Sequence, residues 1–190
     1  ARVAAALASM AACAVSANKC LHGAPGVAFV VCRRPLLEEP AGTPRSLYMD
    51  LRTHWVEQEK DSCAFTPAVP LCYALAEALN ELRDTGGPPA RHDRYEGLAT
   101  LVRDRMAELG VQRYLTSGPL ASSLTAFHLP GETAYQDLHD RLREAGFVIY
   151  AGQGALSRKI FRIATMGEVS RQDLERLFEA FSRLRCELSF

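Results

Sequence analysis

The chain has 190 residues, 48% hydrophobic and 23% charged, and its 22 basic and 22 acidic side chains give a formal net charge of +0. The charges are interspersed, which argues against a nucleic-acid partner or an anionic membrane surface. No run is apolar and long enough to span a bilayer, and the length suits one large domain or two small ones.

The Ala-rich start, Ala1 to Ala8, has a faint likeness to a leader but runs unbroken into the next segment, so it is read as part of the fold. Starting at Ala1 without Met suggests a processed or incomplete chain. Ala11 to Ser16 and Val27 to Cys32 are short and apolar and predict buried strands, joined through a Gly23 to Gly26 turn. Arg33 to Pro44 is proline-rich and predicts a loop, and Ser46 to Lys60 a loop followed by a helix. Phe65 to Pro70 leads into a helix whose stripe is Cys72, Leu75, Ala76, Leu79 and Leu82. Gly86-Gly87-Pro88-Pro89 is expected to end that helix and to mark a domain boundary, giving domains 1–86 and 87–190. A long helix from about Ala90 to Leu109 follows. Val111 to Leu115, Ser123 to His128, Phe147 to Tyr150 and Ile160 to Ala164 then predict strands. Thr133 to Ala145 and Ser170 to Leu188 predict helices, the last with Ser170 as N-cap and Asp173 completing a capping box. The second half thus reads as a small α/β sandwich with helices on one sheet face.

Cys13, Cys20, Cys32, Cys63, Cys72 and Cys186 form no CxxC pair and sit mostly in apolar runs. They are expected to be reduced core thiols in a cytoplasmic protein. No set of His, Cys, Asp and Glu has metal-ligand spacing. Arginine serves for nearly every cation; the only lysines are Lys19, Lys60 and Lys159. Lys19 lies between two apolar runs, just before Gly23-Ala24-Pro25-Gly26. Apolar walls disfavour an ammonium, and a neutral amine is a nucleophile that condenses with an aldehyde to a Schiff base. The bland alternative is a lysine snorkelling to solvent.

Ser16-Ala17-Asn18-Lys19-Cys20 followed by Gly23-Ala24-Pro25-Gly26-Val27-Ala28-Phe29-Val30 resembles the cofactor-lysine segment of class V pyridoxal-phosphate aminotransferases. Arg45 to Leu51, Phe65-Thr66, Ala90 to Tyr95, Gly146 to Tyr150, Phe161-Arg162-Ile163 and Met166-Gly167-Glu168 follow in that family's order. Within the class, the series is most similar to the 2-aminoethylphosphonate–pyruvate branch.

The resemblance implies a fold-type-I α/β enzyme, of which this chain is the end of the large domain plus the small C-terminal domain. It implies pyridoxal 5'-phosphate as cofactor, with Lys19 as the lysine that holds it and shuttles the proton. It implies that Arg162 binds the acidic group of the substrate, although a strand cation on a solvated sheet face is the plain reading of that position. It implies that Thr66 reaches the cofactor phosphate of a neighbouring subunit in a homodimer, although a turn hydroxyl or helix N-cap would also explain it. His22, where the family often has another polar residue, is given no catalytic role; His92 is read as structural at a helix start, and Glu168 as capping or pairing locally. The implied reaction moves the amino group of 2-aminoethylphosphonate to pyruvate, giving phosphonoacetaldehyde and alanine. The rivals are an alanine- or serine-type class V aminotransferase, and a non-catalytic module that needs a complementary half. The family's ring-nitrogen aspartate and phosphate loop precede the lysine, and residues 1–18 contain no acid. This chain alone is therefore expected to be inactive and to expose an apolar strand edge.

Overall fold

The computed structural model describes residues 9–38 and 42–188, with side chains to residue 185. The Ala-rich start, residues 39–41 of the expected loop and the Cys186 side chain lie outside the described residues. The chain forms two compact units, Ala1–Glu81 and Leu82–Phe190.

In the first unit, β1 (Ala12–Ser16) pairs antiparallel with β2 (Ala28–Cys32), in register from Ala12↔Cys32 to Ser16↔Ala28. Both strands stand where the apolar runs predict them, but they are not buried. Their residues are exposed or half-buried, and Val31 is 58% accessible. A two-stranded ribbon has two faces and two edges, and the described residues supply no third strand beside it. The cysteines follow suit: Cys13 and Cys32 are half-buried, and Cys20, Cys63 and Cys72 are exposed, all as free thiols. The expectation of core thiols is corrected for these five.

The expected 33–44 loop contains a four-residue helix, α1 (Pro35–Glu38), for which proline is a suitable opening residue. Helix α2 (Leu51–Gln58) starts at Asp50, whose carboxylate accepts from the Arg52 and Thr53 amides and, at 2.6 Å, from the Thr53 hydroxyl. Those bonds, the Thr53 hydroxyl foremost, hold the Asp50 carboxyl below its ordinary range. Helix α3 (Val69–Asp84) runs from Pro70 in its first turn to Arg83 in its last. The Gly-Gly-Pro-Pro run ends that helix as expected, with the Gly86 amide on the Arg83 carbonyl at 3.2 Å, and opens the next one. Gly86 is the N-cap of α4 (Gly87–Glu108), and the prolines occupy its first turn, where their missing N–H groups need no partner.

The second unit is a three-stranded antiparallel sheet, β3 (Leu124–His128), β5 (Ile160–Ala164) and β4 (Tyr150–Ala151), in the order β3-β5-β4. Alternation turns Thr125, Phe127, Phe161 and Ile163 to the buried side and Ala126 and Arg162 to the other. Helices α4, α5 (Tyr135–Glu144) and α6 (Arg171–Leu188) supply Val102, Met106, Leu138, Leu142, Leu174, Phe178 and Phe181 to the same core. The rings of Phe127 and Phe161 stack at 5.6 Å, and those of Phe161 and Phe181 at 5.7 Å. The sandwich expected from the sequence is therefore present.

Two predicted strands are not. Val111 to Leu115 makes one β-bridge, Arg113↔Phe127. The Val111 amide is spent on the Met106 carbonyl, closing α4, so pairing cannot begin before Gln112. Likewise the Phe147 amide closes α5 on Leu142, and the strand that follows is confined to Tyr150–Ala151.

Ser170 and Asp173 do form a reciprocal box: the Asp173 amide donates to Ser170 Oγ at 3.1 Å, and the Ser170 amide to Asp173 Oδ2 at 3.0 Å. The Ser170 hydroxyl, followed by its amide, lowers the Asp173 pKa from the ordinary 3.8. A carboxyl lowered by folding adds stability above its unfolded pKa and loses it as pH falls through the folded value. Ser170→Ala should cost about 1 kcal/mol of stability in thermal melts at neutral pH. The difference between variant and wild type should shrink as the pH falls below 3.8.

Candidate active site

Lys19 stands in the reversal between β1 and β2. Ala17 at the end of β1 is fully buried, and its amide donates to the Val27 carbonyl at 3.0 Å. The chain then loops out over Asn18 to His22 and returns, with the Gly23 amide donating to the Ala17 carbonyl at 2.9 Å. A Cβ on Gly23 would lie 3.1 Å from both the Ala17 Cβ and its oxygen. Gly26 has φ 121°, and a Cβ there would meet Leu71 Cδ1 at 2.4 Å. The turn is thus pressed against Ala17 on one side and the start of α3 on the other, and only glycine fits at the closest approach. His22 takes the left-handed conformation, φ 63°, with its amide on the Lys19 carbonyl at 2.9 Å. Within this reversal Asn18, Lys19 and Cys20 are exposed.

The apolar walls expected around Lys19 are therefore absent from the described residues. Its side chain is exposed and makes no hydrogen bond or ion pair with them. The backbone around it is fixed while the amine is unengaged. Thr66 lies in the loop that enters α3, exposed, with its hydroxyl likewise unengaged by the described residues. It is not the helix cap, since α3 begins at Val69 and Ala68 precedes it. The residue before Thr66 anchors that loop: Phe65 packs on Tyr48 at 4.9 Å and on His54 at 5.6 Å between ring centroids. His54 Nε2 also meets the Tyr48 carbonyl at 2.8 Å.

Arg162 belongs to the second unit. It is half-buried on the sheet face that carries no helices, between Ala126 of β3 and Tyr150 of β4. Its Nε donates to the Ala151 carbonyl at 2.8 Å, which leaves the two terminal nitrogens as a fork. Tyr150, 61% exposed, shares that face.

Glu168 has a partner far away in sequence. It accepts a two-pronged bond from Arg94, Nη1 to Oε1 at 3.1 Å and Nη2 to Oε2 at 3.2 Å. This raises the Arg94 pKa and ties the start of α4 to the loop after β5. The exposed His92 has Nδ1 at 3.5 Å from the Ser122 hydroxyl. Among the described residues no group of three or more His, Cys, Asp and Glu could hold a metal ion, and no helix is long and apolar enough to cross a membrane.

The family described as "Aminotransferase class-V" matches residues 6–177. Among curated relatives, a 2-aminoethylphosphonate–pyruvate transaminase of Aeromonas hydrophila is 39% identical over 123 residues, 64% of this chain and 32% of the relative. A 2-aminoethylphosphonate–pyruvate transaminase 2 of Polaromonas sp. is 37% identical over 122 residues, 64% and 33%. A subgroup IV aspartate aminotransferase of Thermus thermophilus has a solved structure that superposes with TM-score 0.80 at 26% identity, covering 96% of this chain and 51% of that one. An alanine–glyoxylate aminotransferase of Nostoc sp. superposes with TM-score 0.81 at 20% identity, covering 91% and 47%. The chain spans about a third of the length of these curated relatives and about half that of the solved structures.

The fit around Gly26 is directly testable. Gly26→Ala should cost about 1–3 kcal/mol, from the positive φ and the clash with Leu71. Urea unfolding followed at Trp55, the chain's one tryptophan, reads it. Adding Leu71→Ala should recover part of the loss, because it removes the clash and leaves the dihedral cost.

Proposed function

We propose, from the premise that this chain belongs to the class V aminotransferase family, that it carries the cofactor lysine and the substrate arginine of a 2-aminoethylphosphonate–pyruvate transaminase. The fold is the pyridoxal-phosphate-dependent fold type I of the superposed aminotransferases, and the cofactor of that family is pyridoxal phosphate. The observation that carries the proposal is the Lys19 turn: a rigid glycine-lined reversal that presents one amine with no competing partner among the described residues.

The residues present fit that group at two of its ends. Pyridoxal phosphate, when bound, supplies an aldehyde for the amine and a conjugated ring that accepts electrons from the substrate carbon. Lys19 then has two tasks. Its amine would be the covalent tether for that aldehyde, and its Nζ, when released, would hold and move a proton. The Thr66 hydroxyl, in a loop before a helix start and held by the Phe65–Tyr48–His54 packing, is a suitable ligand for the phosphate of a second subunit in a homodimer. Arg162 presents a planar fork that suits both a phosphonate and a carboxylate. One guanidinium can therefore serve the amino donor in one half-reaction and pyruvate in the other. We place the end of the large domain at residues 1–86 and the small domain at 87–190.

The choice of 2-aminoethylphosphonate as donor is supported by the Aeromonas and Polaromonas relatives, whose names carry that substrate. A second reading is favoured by the exposure of β1, β2 and Lys19: the chain is one part of a site whose remaining walls come from elsewhere. Under either reading these residues by themselves give negligible transamination.

The test is borohydride trapping of the chain with pyridoxal phosphate, followed by peptide mapping. The label is expected on Lys19 in preference to Lys60 and Lys159, and Lys19→Ala should abolish that preference. Equal labelling of all three lysines would overturn the assignment. A panel of amines including 2-aminoethylphosphonate and serine, offered to the active enzyme with pyruvate or glyoxylate, then separates the donor classes.

A further inference from the structure

We propose that Tyr135 is a positioning residue for Arg162: by holding the free edge of β4 it fixes the carbonyl that aims the guanidinium fork. The inference rests on the reading of Arg162 as the residue that binds the substrate's acidic group.

Strand β4 is two residues long and is the last strand of its sheet. Its inner side is bonded to β5, with Tyr150 opposite Arg162, Ala151 opposite Phe161, and the Gly152 amide on the Ile160 carbonyl at 3.0 Å. Ile149 and Ala151 therefore turn their backbone groups outward, away from β5, and such groups need partners. Two side chains meet them. The Tyr135 hydroxyl donates to the Ile149 carbonyl at 2.9 Å. Arg162 Nε donates to the Ala151 carbonyl at 2.8 Å. Tyr135 thus stands where a further strand would, taking the carbonyl before Tyr150, while Arg162 takes the carbonyl after it.

A pairing this short has little cooperativity of its own. Without the phenol, the 149–151 backbone keeps only its bonds to β5, and the Ala151 carbonyl loses its fixed direction. The guanidinium has no carboxylate partner among the described residues, so that carbonyl is what orients it. Tyr135 is itself held. It opens α5, its ring packs against the core cluster, and it lies 5.6 Å from the His139 ring between centroids. Burial, the largest influence, keeps the phenol protonated and able to donate, while the nearby Arg162 charge pulls the other way. The pattern assigns Tyr135 a role that phenylalanine, equally suited to the core, could not fill.

The test reads Arg162 directly. In the chain labelled with 15N-arginine, the Arg162 Nε–H signal is assigned by its loss in Arg162→Lys. Tyr135→Phe should speed exchange of that proton with water about tenfold or more, with the remaining amide spectrum of the second unit retained. Unchanged exchange in the folded variant overturns the proposal. If Tyr135→Phe does not fold, the coupling is read from the other end. In Arg162→Gln the Tyr135 phenol should titrate at higher pH than in wild type, by its 13Cζ shift, because a lowering charge has been removed; an unchanged titration overturns it. Asp140 and Tyr150 also act on that phenol, and both are left in place. In the whole aminotransferase, Tyr135→Phe should raise KM for the acidic substrate several-fold with kcat within twofold. If Arg162 does not bind the acid, Arg162→Lys will leave KM unchanged while the Nε–H coupling to Tyr135 persists. The two failures are therefore distinguishable.

Discussion

The second unit depends on one contact, the Phe127–Phe161–Phe181 stack. Phe127 and Phe161 are directly opposed on β3 and β5, and Phe181 reaches them from α6. All three rings are buried. Each buried ring of this size is worth about 1.5–3 kcal/mol, so the column sets the register of the sheet and the seat of the last helix together. Register has a further consequence. Once Phe161 is committed to the core, its neighbour Arg162 is committed to the opposite face, and a slip by one residue would bury the guanidinium among leucines and phenylalanines. The apolar core therefore specifies where the cation emerges, with no direct contact between the two tasks.

The first unit solves a different problem. It leaves a lysine exposed while holding the backbone beneath it. Burying Ala17 and pressing two glycines against Ala17 and Leu71 does this with shape alone. An amine that makes no internal bond has nothing to break before it reacts, and a fixed backbone limits the orientations it samples. Thr66 has the same character, an unengaged hydroxyl on a loop held by the neighbouring Phe65. Groups left unpaired on rigid supports are the form expected of ligand contacts, whereas structural polar groups such as Asp50 and Ser170 are saturated locally.

How much of this was legible in the sequence follows from the range of the interactions involved. Short-range signals were reliable. The alternation in Ile160 to Ala164, the capping residues Ser170 and Asp173, and the apolar runs of β1 and β2 all placed their elements. Lys19 stood out through the scarcity of lysine and its apolar flanks, whereas its cofactor role and that of Arg162 came from a family resemblance. Errors arose where a local pattern competed with a backbone requirement. Val111 to Leu115 and Phe147 to Tyr150 have strand-like composition, yet their first amides are consumed in closing the preceding helices. Gly86 to Pro89 ends one helix as expected, yet its prolines also open the next, which starts at Gly87 and not near Ala90. Burial was the least legible property, because apolarity says that a strand can be covered and not that the described residues cover it. Arg94 and Glu168 are 74 positions apart, and no local signal joins them.

Tyr135 shows why the supporting residue was harder to see than the one it supports. In the sequence it is one more aromatic position on the apolar stripe of α5, and its ring does pack with the core. Only the course of β4 shows that its hydroxyl meets an outward-facing carbonyl. The physical reason lies in sheet edges. An edge strand presents unpaired backbone groups that must find water, another strand or a side chain, and a strand of two residues has the least internal order to resist fraying. Placing a phenol from one side and a guanidinium from the other satisfies the edge and fixes the guanidinium in one act. The cation is thereby held by a neutral carbonyl and, among the described residues, by no carboxylate, so its charge is left uncancelled. A carboxylate at the same place would have oriented the fork equally well and neutralised it, and that difference makes the carbonyl the better anchor under the proposed binding of an acid.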